Sequence, residues 1–195
     1  MTTNQQTKTI GERITFFQDG GHLKVVINQK IPAIQLVLIV LWGLGITFVT
    51  GVFFYYFANH KQEDERWFFL VVGGFASYFL FKAIKVILWR LNGKETILVN
   101  KSGFSLTNTF GLPARTILLQ PEHFSTFKIL KPDITKFMHF LENSSFVIGG
   151  DRMELTHEKK TYQFGKQLNE TDAKLLFRLL DKHIKDLIKS RKKSK

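Results

Sequence analysis

Six histidines are the side chains with the widest chemical reach in this 195-residue sequence: His22, His60, His123, His139, His157 and His183. Imidazole can ligate a metal or move a proton near neutral pH. None of the six stands at metal-ligand spacing from another, and no His-Glu-x-x-His occurs. His157 falls in a predicted hairpin turn, where it reads as a solvated side chain; His123 and His139 read as strand or loop residues. A Gly-x-Ser-x-Gly elbow and a dinucleotide fingerprint are both missing, and Gly149-Gly150 lacks the Lys-Ser/Thr that a phosphate-binding loop requires. The acid pair Asp151/Glu154 flanks a turn. Cysteine is absent, which excludes disulfides, thiolate zinc sites and Cys nucleophiles. The expectation is a non-enzymatic protein with no cofactor, no metal site and no small-molecule substrate.

Binding chemistry is better represented. Lys and Arg total 28 against 16 acids, so the net charge is 28 − 16 = +12. Residues 182–195 carry seven of those cations and one acid, which concentrates +6 at the end of the sequence. Its last stretch holds Lys189, Arg191, Lys192, Lys193 and Lys195. Beside an anionic leaflet each such residue is worth about 1 kcal/mol. The stretch has no aromatic on which a base could stack, which counts against nucleic acid. Residues 131–143 (KPDITKFMHFLEN) mix Phe137, Met138, Phe140 and Leu141 with Lys131 and Lys136. That mixture suits a loop dipping into a membrane interface or a partner groove, or a short helix covering one end of a β domain.

Two apolar segments must position these features. Residues 31–58 hold no charged side chain, and Pro32 sits where a first helical turn accepts it. About 20 residues suffice to cross the hydrocarbon of a bilayer, so this run reads as a span. A second span is predicted over residues 67–89. Trp67 and Trp89 bracket it as interfacial aromatics, with Lys82, Lys85 and Arg90 able to reach headgroups and Lys30 before the first span. The short connection 59–66 makes the pair an antiparallel hairpin. Positive charge gathers before the first span and after the second, which orients both termini toward the cytoplasm. The first thirty residues are polar and mixed, so no cleavable signal peptide is expected. Gly43, Thr47 and Gly51 recur at intervals of four, and Gly73 with Ser77 repeats the pattern. Such small residues let helices approach closely, either within the hairpin or against another membrane protein.

The remainder reads as β structure closed by a helix. Residues 13–18 and 22–28 flank Asp19-Gly20-Gly21 as a hairpin. Seven short strands are expected after the spans, at 95–100, 104–109, 115–119, 123–130, 146–148, 153–156 and 161–164, separated by turn chemistry such as Asn100-Lys101-Ser102-Gly103. This spacing suggests a small barrel or sandwich. A helix is predicted over 169–188, capped by Asn169 or Thr171, with Ala173, Leu176, Phe177, Leu180, Ile184, Leu187 and Ile188 on one stripe. It packs on the β domain or lies in the membrane interface.

This order of elements, with Gly93-Lys94-Glu95 opening the strand after the hairpin, resembles the bacterial membrane-anchored PH-like domain proteins. The resemblance implies an integral membrane α+β protein: a PH-like small β-barrel or sandwich, capped by its last helix, into which a two-helix transmembrane hairpin is inserted. In that layout residues 1–30 add strands to the soluble domain, 31–90 form the hairpin, 91–188 the PH-like domain and 189–195 a basic tail. Phosphoinositide-binding PH domains place more basic residues on their first strands than Lys94 and Lys101 provide here, so specific inositol-phosphate binding is not expected. The functional expectation is a scaffold or accessory subunit in the bacterial inner membrane, with lipid and another membrane protein as partners. The alternative is a sensor of anionic lipid using the basic tail and residues 131–143.

Overall fold

A computed structural model describes residues 7–19, 21–29, 31–109, 115–130, 144 and 146–193. It divides into a β unit, residues 1–30 with 92–195, and a helical unit, residues 31–91.

The β unit begins with β1 (Thr7–Ile10), β2 (Ile14–Asp19) and β3 (His22–Asn28), and resumes after the helical unit with β4 (Lys94–Asn100), β5 (Gly103–Thr109) and β6 (Arg115–Leu119). These six form one antiparallel sheet in sequence order. β3 and β4 pair directly, from Leu23 opposite Val99 to Asn28 opposite Lys94. The helical unit is therefore an insertion between two bonded neighbours in a meander. A second antiparallel sheet holds β7 (Phe124–Ile129), β8 (Met153–His157) and β9 (Lys160–Phe164). Among the described residues each sheet is open at both edges, so the barrel alternative is replaced by two sheets sharing one core.

Alternation dictates that core. On β3 and β4 the inward positions are Leu23, Val25, Ile27, Ile97 and Val99, all buried. Met153, Leu155 and Phe164 come from the second sheet, and Ala173, Leu176, Leu180, Ile184 and Leu187 from the last helix, α3 (Glu170–Lys193). Phe127 of β7 stacks on Phe177 of α3 at 4.5 Å between ring centres, and Phe104 of β5 meets Phe164 of β9 at 6.2 Å. These contacts tie both sheets and α3 together, as the apolar stripe predicts.

Turn chemistry is realised as expected between β4 and β5, where Asn100 Oδ1 accepts from the Ser102 and Gly103 N–H groups, each at 3.0 Å. At the start of α3, Asn169 Oδ1 accepts from the Asp172 N–H at 2.6 Å while Asn169 Nδ2 donates to Asp172 Oδ2. Asn169, not Thr171, is the cap.

Several expectations are corrected. Residues 146–148 form turn and bend, not a strand, so six strands rather than seven follow the helical unit among the described residues. The β7 strand starts at Phe124, because Pro121–His123 coil into a 3-10 turn in which Pro121 has no N–H to offer a ladder. β1 has little signal in the sequence, Ile10 being its one large apolar residue; it pairs Ile10 with Ile14 across a tight turn containing Gly11 at φ +58°. α3 continues five residues past 188 to Lys193, so residues 189–193 are helical rather than a tail.

The helical unit contains α1 (Ala33–Asn59) and α2 (Glu63–Asn92). α2 starts four residues earlier than expected, because Glu63, Asp64 and Glu65 fill its first turn and complement the positive end of the helix dipole. The connection shrinks to three residues, closed by Arg66 Nε donating to Phe57 O at 3.1 Å and by an ion pair between His60 and Glu65. Ile39, Gly43 and Thr50 are buried on α1, and Gly73, Ala83 and Val86 on α2. Their intervals, four and seven on α1 and ten and three on α2, fit a heptad-like seam.

Candidate functional site

Both helices are long and apolar enough to cross a membrane, and large side chains project outward from them. Phe48 is 73 % exposed and Val71 70 %, with Ile34, Leu41, Leu44 and Phe75 also exposed. Isolated exposed apolar residues are ordinary on any protein, but a continuous coat on two helices marks a surface whose partner is not water.

Within this unit lies an open groove of about 660 Å³, lined by Trp42, Ile46, Val49, Phe53, Phe75 and Phe79 together with the small residues Gly45 and Ala76. Its lining is almost wholly apolar, so its chemistry is shape and dispersion: it fits a hydrocarbon chain or the side chains of another apolar helix. None of these residues was singled out in the sequence, where the small-residue spacing drew attention elsewhere.

The small residues divide. Gly43 lies in the seam, where an added Cβ would stand 3.0 Å from Ile87, and Gly73 faces Phe53 and Phe54. Thr47 and Gly51 are exposed, and a Cβ at Gly51 would meet nothing within 4 Å. A strict interval of four rotates each successive residue by about 40°, so the stripe leaves the seam within two turns. Thr47 donates to Gly43 O at 2.9 Å and Ser77 to Gly73 O at 2.8 Å, which satisfies both hydroxyls within their own helices.

Trp67 is 64 % exposed whereas Trp89 is buried, with the Arg90 guanidinium 4.4 Å over its ring centre. Lys82 and Lys85 reach back one turn, their ammonium groups 5.3 Å over Tyr78 and 4.3 Å over Phe81. Lys30 lies outside the described residues, as do Lys131, Lys136 and Lys195.

In the β unit the basic end of the sequence is partly engaged. Arg191 donates to Lys101 O at 2.6 Å and to Glu122 at 3.1 Å, clamping the last turns of α3 to the β4–β5 turn and to the 3-10 turn. Lys192 and Lys193 fall within the same helix. Upstream, Lys174 pairs with Glu170 and Lys185 with Asp181, each one turn apart, while Arg178, Lys182 and Lys189 are exposed along the outer face.

Histidines separated in sequence meet at the same end of the unit. The rings of His123 and His157 lie 5.8 Å apart, and His157 Nε2 accepts from the Gln120 N–H at 3.3 Å. The pairing arises from the docking of β7 beside β8, so no sequence spacing announces it. Among the described residues no three His, Asp or Glu side chains gather closely enough to hold a metal ion. On the face of the second sheet, Lys128 and Gln163 hydrogen-bond Glu154 and hold its carboxyl below the usual carboxylate range.

Comparison with known proteins identifies no relative: no family model matches the chain, and neither a curated protein nor a solved structure matches it.

Proposed function

We propose that this protein is a membrane-anchored, non-enzymatic scaffold or accessory subunit of a membrane protein complex. In this reading α1 and α2 cross the bacterial inner membrane as a hairpin, with both termini in the cytoplasm. The β unit is a PH-like domain that offers its surface to a protein partner, and the groove lined by Trp42, Phe53 and Phe79 receives an apolar helix of that partner. The observation that carries the reading is the coat of exposed apolar side chains on both helices, together with the insertion of that pair between β3 and β4.

The test is crosslinking in native membranes followed by identification of the captured protein. One stoichiometric membrane partner, lost in a Gly45→Trp variant that fills the groove, supports the proposal. Release of the protein from membranes by alkaline carbonate would overturn the anchor itself.

The alternative, sensing of anionic lipid, is favoured by Arg178, Lys182 and Lys189 on the outer face of α3. It requires association that falls steeply with salt, since exposed charges are screened within about 10 Å at 0.1 M.

A further inference from the structure

Three buried polar atoms on the inner face of the six-stranded sheet have no hydrogen-bond partner among the described residues: Gln29 Nε2, Glu95 Oε1 and Asn108 Oδ1. They occupy adjacent strands. Glu95 on β4 stands directly opposite Asn108 on β5, and opposite Ile27 on β3. Gln29, two residues beyond Ile27, lies diagonally from Glu95 on the same face, at the end of the ladder. Directly opposed side chains have Cβ atoms about 5 Å apart, so the Glu95 and Asn108 polar groups share one small space. Arg13 Nη2 donates to Gln29 Oε1, which fixes the orientation of that amide and leaves Nε2 as its unpaired donor.

Glu95 is 1 % exposed. Its Oε2 accepts from the Gly165 N–H at 2.7 Å, so one carboxyl oxygen is satisfied, while Oε1 has no partner and the opposed residue, Asn108, carries an equally unpartnered amide oxygen. An ionised Glu95 would leave two unpartnered acceptors, its own Oε1 and Asn108 Oδ1, in one space with no donor bonded to either. A proton on Oε1 converts this repulsion into an O–H···O bond to Asn108. We infer that Glu95 is a proton-binding site inside the fold, held as the neutral acid, which donates from Oε1 to Asn108 Oδ1 while Oε2 accepts from Gly165.

The charged neighbours act on Glu95 in both directions. Lys166 pairs with Asp151 at 2.8 Å, which offsets part of the field of that ammonium at Glu95. Arg13 spends its guanidinium on Asn28 O, Gln167 O, Lys166 O and Gln29. Glu95 and, less strongly, Asp172 of α3 place negative charge near Arg13, and Arg115 of β6 stands directly opposite Asn108. Burial pushes the Glu95 carboxyl above its ordinary value, against the favourable effect of Lys166 and the Gly165 N–H. Because Glu95 also holds the turn that leads into α3, the proton couples the start of β4 to the seating of the C-terminal helix. The inference is independent of any partner or lipid.

The test is infrared spectroscopy of the full chain in nanodiscs at neutral pH with 13C-labelled glutamate, combined with thermal unfolding of wild type and Glu95→Gln across pH. The amide of Glu95→Gln mimics the protonated acid, donating to Asn108 and accepting from Gly165. The expected result is a protonated-carboxyl band in the wild type that disappears in the variant, with Tm at neutral pH changed by no more than about 2 °C. The wild type should lose Tm on alkalinisation relative to the variant. Absence of the band at neutral pH, or a Tm for Glu95→Gln that falls by about 6 °C or more, overturns the inference. A variant that fails to fold counts as such a fall, and the band in the labelled wild type is read independently of it.

Discussion

Gln29 and Gly93 close the base of the inserted hairpin: the Gln29 N–H donates to Gly93 O at 3.3 Å, one step beyond the last paired residues of β3 and β4. The chain thus leaves the sheet and returns to it through adjacent bonded strands. Arg13 reinforces this closure. It donates to Asn28 O at 3.0 Å and to Gln29 on the departing strand, and to Gln167 O at 2.6 Å and Lys166 O at 3.1 Å on the turn before α3.

Arg13→Ala is therefore expected to destabilise the β unit by about 2–4 kcal/mol, since it strands several part-buried acceptors at once. Arg13→Lys should recover little, because an ammonium cannot reproduce a planar fork serving four oxygens. Chemical denaturation of the full chain in detergent, followed by near-UV circular dichroism, measures both. A loss below about 1 kcal/mol for Arg13→Ala would show that these contacts are dispensable.

Where periodicity is strong, the sequence announces this fold: the apolar runs of α1 and α2, the alternation of β3 and β4, and the stripe of α3 all appear where expected. Residues 146–148 (FVI) are apolar and suggest a strand, yet among the described residues no neighbouring strand bonds them. Apolar content alone cannot create a ladder partner. Glu95 shows a different failure. It shares its alternation phase with Ile97 and Val99, which places it inside, but a charged residue at a strand end reads by habit as solvated. Arg13, Lys166 and Gln167 meet through tertiary packing across about 150 residues, and nothing local encodes that meeting. The groove on the helical unit was equally hidden, because a uniformly apolar helix does not declare which face packs.

Helix pairing can be tested by contrast within α1. Gly43→Leu should weaken the pairing of α1 with α2 by about 1–3 kcal/mol, since its Cβ alone would press on Ile87 at 3.0 Å. Gly51→Leu faces open space and should leave pairing unchanged. Thermal unfolding of the two variants in one detergent makes the comparison. Equal effects would contradict the seam.

Glu154 supplies a pH-dependent observable. Its carboxyl is depressed by hydrogen bonds from Lys128 and Gln163. A depressed carboxylate stabilises the folded state above its unfolded pKa, and that contribution is lost as pH falls through the folded value. In Lys128→Ala the Glu154 titration, followed by carboxyl NMR, should move up toward the ordinary carboxylate range. An unchanged titration would assign the shift to Gln163.

The β8–β9 turn holds two residues other than glycine in the left-handed region, Glu158 at φ +46° and Lys159 at φ +67°. A two-residue hairpin turn of this hand favours Asn-Gly, and each L residue with a Cβ is penalised by about 1–2 kcal/mol there. The double substitution Glu158→Asn with Lys159→Gly should therefore stabilise the β unit, by about 1 kcal/mol after the extra unfolded-state entropy of glycine is subtracted. It also removes Glu158, which stands 3.7 Å from His123 at the end of the sheet, but an exposed pair of that length contributes little. Thermal unfolding should show a rise in Tm of about 2–4 °C. A fall would mean that the Glu158 side chain holds His123 and the neighbouring 3-10 turn in place, and Glu158→Gln alone would then reproduce the loss.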